Sequence, residues 1–226
     1  MKALITGGNR GIGLAIARKF AENGIELIII GRDPESLGKA EKELSEKVKT
    51  KAFVCDVSDD RAIGNLMEKT DGFDILVNNA GVLEYKDVVD TSVKEIDNML
   101  DVNLRGLIIF TKAAIPKMGK GTIINIASGA GKTGYPKMAV YCATKFGVIG
   151  FTESLAMELD DIRVFSVCPA DTQTRMWSSR FERPATYQPE DVAEVVWKVI
   201  KDRDKIRPGS AIDVSDLKRR IGRYIK

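Results

Sequence analysis

Histidine does not occur anywhere in this chain of 226 residues. That absence excludes Ser-His-Asp nucleophilic chemistry, most zinc sites and the usual proton shuttle at neutral pH. If the chain is an enzyme, another side chain must move its protons, and a tyrosine with an altered pKa becomes attractive. Cysteine is scarce as well. Cys55, Cys142 and Cys168 stand far apart with no Cys-x-x-Cys pair, so no disulfide framework or metal knuckle is expected. They read as small buried apolar residues of a protein in a reducing, cytoplasmic compartment. No apolar run is long enough to cross a bilayer, and Met1 leads straight into a strand rather than a secretory leader. A charge excess is lacking too: 35 basic and 32 acidic residues leave +3, too little to suggest a nucleic acid partner.

What is present fits one ordinary globular domain spanning residues 1–226, 44% apolar and 30% charged, with no repeat or linker. A short strand, Lys2 to Thr6, runs into Gly7-Gly8-Asn9-Arg10-Gly11-Ile12-Gly13. An amphipathic helix follows to about Asn23 and stops at Gly24. Strand, glycine turn and helix in that order bind dinucleotides: glycines admit a diphosphate close to the main chain, and the helix N-terminus meets its charge. Glu26 to Ile30 is a second, continuously apolar strand, suited to a parallel sheet covered on both faces. Gly31 and Arg32 lie beyond its tip, and Arg10 approaches from the glycine loop. Two guanidiniums suit a phosphate dianion, which favours NADP over NAD. Asp33 is the counter-signal, but ahead of Pro34 it reads as a helix cap.

A helix over 34–48 leads to a strand over 51–55 that ends in Asp56. That carboxylate can accept from an adenine amino group, and the role of capping a helix over 58–69 is not exclusive with it. A strand over 73–77 delivers Asn78-Asn79-Ala80-Gly81, whose small residues leave room for an adenosine ribose. One long helix is expected over 93–117, with Asn103 in its middle needing a partner. A strand over 122–126 places Ser128 at its C-terminal end, where open α/β sheets bind ligands.

A glycine-rich loop then enters the turn Tyr141-Cys142-Ala143-Thr144-Lys145. Residues four apart share a helix face, so the ammonium is expected to lower the phenol pKa from about 10 toward neutrality. Ala139, Ala143 and Gly147 form a stripe that lets another helix, internal or from a second subunit, come close. A strand over 162–168 ends at Pro169-Ala170-Asp171-Thr172-Gln173-Thr174. Residues 175–188, carrying Met176, Trp177, Phe181 and Tyr187, read as a mobile substrate lid. A helix from Pro189 to Lys201, a strand over 211–214 and a basic tail over 215–226 complete the chain.

In this order the motifs resemble the short-chain dehydrogenase/reductase family in its single-domain, 3-oxoacyl/carbonyl reductase-like form, over nearly the whole chain. The resemblance implies an α/β fold, a doubly wound parallel (Rossmann) sheet of about seven strands with helices on both faces. It implies NADP(H)-dependent hydride transfer between nicotinamide and a small-molecule carbonyl or secondary alcohol, in a homodimer or homotetramer. Carried over, Tyr141 is the acid/base, Lys145 binds the nicotinamide ribose and lowers its pKa, Ser128 holds the substrate oxygen, and Asn103 positions a relay water. Cofactor contacts fall to the glycine loop from Gly7 to Gly13, Arg32, Asp56 with Val57, and Asn79-Ala80-Gly81. Tyr141, Lys145, Pro169, Thr172 and Thr174 complete that set, and no metal is implied. Three departures stand out: Ala170 replaces a glycine, the glycine pair after the last strand is missing, and almost nothing precedes the first strand. The alternative is a non-catalytic NADP-binding sensor or structural subunit, which would have no use for Ser128 or Asn103.

Overall fold

The computed structural model describes residues 1–217, with the side chains of residues 216 and 217 left aside. Lys218, Arg219, Arg220, Arg223 and Lys226 of the expected basic tail lie outside the described residues. The chain alternates strand and helix: β1 (Lys2–Thr6), α1 (Gly11–Glu22), β2 (Glu26–Gly31), α2 (Pro34–Ser45), β3 (Thr50–Val54), α3 (Asp60–Glu68) and β4 (Ile75–Asn78). It continues with α4 (Val93–Leu100), α5 (Gly106–Ala114), β5 (Gly121–Ile126), α6 (Ala139–Glu158) and β6 (Ile162–Cys168). The last elements are α7 (Arg175–Ser178), α8 (Pro189–Asp202), β7 (Ala211–Asp213) and α9 (Val214–Leu217).

The seven strands pair in parallel in the order β3-β2-β1-β4-β5-β6-β7. Successive side chains of a strand face opposite ways, so one strand feeds two cores. In β1, Ala3 and Ile5 join α1, α2 and α8, whereas Leu4 joins α3, α5 and α6 on the other face. The chain winds outward from β1 to β3, then returns to lay β4 on the opposite side of β1. That reversal opens a crevice beyond the C-terminal ends of β1 and β4, the place where such sheets take ligands.

The helix expected over 93–117 is interrupted. Residues Asp101–Arg105 form a π-helical segment between α4 and α5, and a 3₁₀ turn, Ile115–Lys117, follows α5. The wider turn carries Asn103 to full burial, where its amide accepts from the Val82 nitrogen at 2.7 Å and donates to the Val82 oxygen at 2.8 Å. The predicted partner therefore exists: it is mainly main chain, with Thr144 Oγ1 also accepting from the Asn103 amide at 3.3 Å. Two helix limits also shift. α2 ends at Ser45 rather than Val48, and α3 starts at Asp60 with Asp59 as its cap, accepting from Arg61 and Ala62 nitrogens. Asp56 closes the preceding turn instead. The small-residue stripe divides: a side chain at Gly147 would meet Leu104 at 2.9 Å, so its neighbour is internal, while Ala139 and Ala143 are exposed.

Candidate active site

The glycine loop and the Asn-Asn-Ala-Gly turn are stitched together by main-chain anchors. Thr6 Oγ1 accepts from the Asn79 nitrogen at 2.8 Å and the Ala80 nitrogen at 2.9 Å, while Asn79 Nδ2 donates to the Thr6 and Gly7 oxygens. Gly7 and Gly11 adopt φ of 64° and 54°, the left-handed region that side chains resist. A Cβ on Gly13 would sit 2.1 Å from the Gly7 oxygen, so α1 approaches its own loop as only glycine permits. The first turn of α1 carries no acid and no capping side chain. Its free N–H groups suit an anion, and the residues present therefore fit the diphosphate of a dinucleotide.

At the tip of β2 the charges sort as the sequence suggested. Asp33 caps α2, accepting from the Ser36 nitrogen at 3.1 Å; Ser36 and the nearby Arg10 hold its carboxyl below the usual range. Asn9 reaches Ser36 Oγ at 2.7 Å. Arg32 is 55% exposed and only loosely paired, 3.5 Å from Asp56. Burial alone would raise the Asp56 pKa, but hydrogen bonds from Ser58 and the charge of Arg32 outweigh it, and the carboxyl is held low. One Asp56 oxygen is thus taken by Ser58 and the other faces Arg32.

Beyond β5, Ser128 is extended at φ −176° and accepts from the Ala130 nitrogen at 3.1 Å. Opposite it, α6 presents Tyr141 and Lys145, both buried. The expected lowering of the phenol pKa is not found. Burial pushes Tyr141 up to about 12, opposed by its hydrogen bond with Ser128, and Lys145 does not contribute. The ammonium donates instead to the Ile126 oxygen at 2.8 Å and lies 5.7 Å from the centre of the phenol ring. Burial disfavours charge on both groups, pulling Lys145 down to about 8. At that separation the desolvation penalty wins over the cation, and Tyr141 stands as a neutral phenol at pH 7.

These groups border a single cleft of about 1200 Å³. Of the expected residues, Gly7, Asn9, Arg10, Gly11 and Ile12 line it, as do Arg32, Asp56, Val57, Asn79, Ala80 and Gly81. So do Ser128, Tyr141, Lys145, Pro169, Thr172 and Thr174. Gly13 and Asn103 do not; both act one layer behind, on the glycine loop and on Val82.

The far wall joins Met176, Trp177 and Phe181, read in the sequence as part of a lid, to Leu83, Tyr85 and Met138, which were not read. Leu83, Met138, Met176 and Phe181 pack around Tyr141 there. Phe181 stacks on Trp177 at 4.0 Å and meets Tyr85 edge-on at 4.8 Å, with Arg183 over Trp177 at 4.7 Å. Glu84 and Arg180, 3.8 Å apart, join the same two segments. Tyr85 follows the Asn-Asn-Ala-Gly turn closely, which was its only signal. The segment 175–188 contains one helical turn, α7, and is tied to Asp171 by Arg183 and Thr186.

A sequence model of the short chain dehydrogenases matches residues 1–185. The chain belongs to the short-chain dehydrogenase/reductase family. A 3-oxoacyl-[acyl-carrier-protein] reductase of Rickettsia conorii is 34% identical over 229 residues, covering 94% of each chain. An actinorhodin polyketide ketoreductase, solved with NADPH, superposes with a TM-score of 0.88 at 31% identity, covering 97% of each chain. A 3-ketoacyl-(acyl-carrier-protein) reductase from Brucella melitensis, solved with NADH, gives 0.85 at 29% identity, covering 94% of this chain and 96% of its own. The seven-stranded parallel sheet is thus shared with short-chain dehydrogenases that carry either form of nicotinamide cofactor. Among the described residues, this one has no helix long and apolar enough to cross a membrane and no group of acidic or thiol residues placed to hold a metal.

Proposed function

We propose that the chain is an NADP(H)-dependent carbonyl reductase in which Tyr141 is the proton donor. The observation that carries this reading is that half-buried Ser128, just beyond β5, and buried Tyr141 and Lys145 of α6 meet in the cleft that suits a dinucleotide. A bound nicotinamide cofactor would supply the hydride to the carbonyl carbon. Ser128 donates a hydrogen bond to the carbonyl oxygen and fixes its place beside the phenol. Tyr141, neutral at pH 7, gives its proton to that oxygen as negative charge develops there, so the high phenol pKa suits reduction. In the oxidising direction a substrate hydroxyl would need the phenolate, which burial resists. Lys145, held by the Ile126 oxygen, keeps a positive charge beneath the pair and would hold the nicotinamide ribose. Asn103, both ends of its amide engaged by Val82, is a positioning residue for the wall beside Tyr141.

Arg10 and Arg32 support NADP, and Asp33 counts less against it because one of its oxygens caps α2. The apolar far wall and the relatives' names support an uncharged ketone or a 3-oxoacyl thioester as substrate. Exposed Leu100 and Phe146 on α4 and α6 fit a subunit interface, and three unpaired buried cysteines fit a reducing compartment. The test is NADPH and NADH oxidation against a panel of ketones, aldehydes and 3-oxoacyl thioesters. NADPH is expected to be preferred by at least about tenfold in kcat/KM, and Arg32→Asp to reverse that preference. A parent enzyme that prefers NADH overturns the cofactor assignment. Tight NADPH binding without oxidation by any carbonyl overturns the catalytic one.

A further inference from the structure

The lid segment carries three arginines within nine residues, and they are not equivalent. Arg180 is pinned to Ser179 Oγ at 2.8 Å and lies 3.8 Å from Glu84. Arg183 is paired with Asp171 at 2.9 Å and covers Trp177. Arg175 is exposed, lines the cleft, and has no ion-pair or hydrogen-bond partner for its guanidinium among the described residues. It follows directly on Thr174, whose methyl group lies 3.5 Å from where a Cβ on Gly11 would be. The unspent cation therefore begins the lid at the point where the lid meets the glycine loop. No carboxylate occupies the first turn of α1 to satisfy it.

We propose that Arg175 binds the diphosphate of the dinucleotide from the lid side, so that cofactor pins the near edge of the lid. This rests on the dinucleotide reading above and deepens it. The far edge of the lid is already held by protein contacts, Phe181 on Tyr85 and Arg180 near Glu84. The near edge has the Thr174 cap of α7 and the Thr172–Tyr187 bridge, neither of which reaches across to the glycine loop. A diphosphate lying between Gly11 and Arg175 supplies that missing link through charge-assisted hydrogen bonds. Two other guanidiniums of the cleft, those of Arg10 and the loosely paired Arg32, lie toward the β2 tip and would serve the adenosine end.

The test is calorimetric measurement of Kd for NADPH, NADH and ADP-ribose in the parent, Arg175→Met and Arg175→Lys. Arg175→Met is expected to weaken all three ligands alike, by roughly tenfold at low salt, with the difference shrinking as salt rises. Arg175→Lys should retain most of the affinity, since it keeps the charge. Unchanged affinity in Arg175→Met overturns the proposal, and so does a loss confined to NADPH, which would move the residue to the 2′-phosphate. A parent that binds no dinucleotide sinks this inference together with the function above. A parent that binds and oxidises NADPH, with Arg175→Met at parental affinity, sinks this inference alone.

Discussion

On the glycine-loop side of the cleft, the fixing contacts end mainly on main chain; on the lid side, main-chain bonds are joined by a cluster of aromatic and charged side-chain contacts. Thr6, Asn79 and Gly13 work by meeting backbone atoms at distances that no other residue reproduces. Tyr85, Trp177, Phe181 and Arg183 instead pack ring on ring and cation on ring near the surface, where several residue sets would serve. On the function proposed above, the first wall would hold the cofactor and the second the substrate.

The sharpest way to break that comparison is to give each wall one small change. Gly13→Ala drives a methyl group to 2.1 Å from the Gly7 oxygen and 2.5 Å from Asn79 Nδ2. Overpacking against main chain is expected to cost roughly 3 kcal/mol or more in urea denaturation, with dinucleotide binding lost. Gly38→Ala on the exposed side of α2, where nothing lies within 4 Å, should by contrast gain about 0.5–1 kcal/mol. Equal effects at the two glycines would show that the loop is not built on close approach.

Phe181→Ala probes the other wall. Losing one stacked and one edge-on contact near the surface is expected to cost no more than about 1.5 kcal/mol of stability. KM for an apolar carbonyl should rise several-fold while Kd for NADPH stays put. A cofactor affinity that fell with it would mean the two walls are not separable.

A separate effect comes from pH. Lys145 normally titrates at 10.5 but is pulled down to about 8, so between those values the unfolded chain holds a proton that the folded protein lacks. Stability therefore rises with pH across that window, and turnover that needs the ammonium falls as pH passes about 8. Above pH 10 the raised Tyr141 acts in the opposite sense. Lys145→Met should abolish the rise in a pH series of urea melts; persistence of the rise would assign it elsewhere.

The same division explains what was legible in the sequence. The strands, the glycine loop, the Asp33 cap and the Ser128–Tyr141–Lys145 grouping follow from rules of period, capping and main-chain approach that act over a few residues. The π-helical turn at Asp101–Arg105 does not, because it answers to Val57 and Val82, distant in sequence and close only after folding. The phenol pKa was misjudged for a related reason. Spacing places Lys145 on the right face, but where the ammonium points is decided by the Ile126 oxygen on another element. Of the far wall, Met176, Trp177 and Phe181 were legible as a lid without a clear period, while Tyr85 was not, because its contact with Phe181 joins segments far apart in sequence.

The account stands or falls on whether the buried phenol does chemistry rather than hold cofactor. Tyr141→Phe removes one hydroxyl and leaves the ring in its packing, so Kd for NADPH and kcat with a carbonyl substrate should be measured on one preparation. We expect kcat to fall by about 10³-fold or more with Kd within about threefold of the parent. Turnover at the parental rate, or a loss of affinity that accounts for the loss of turnover, would contradict it.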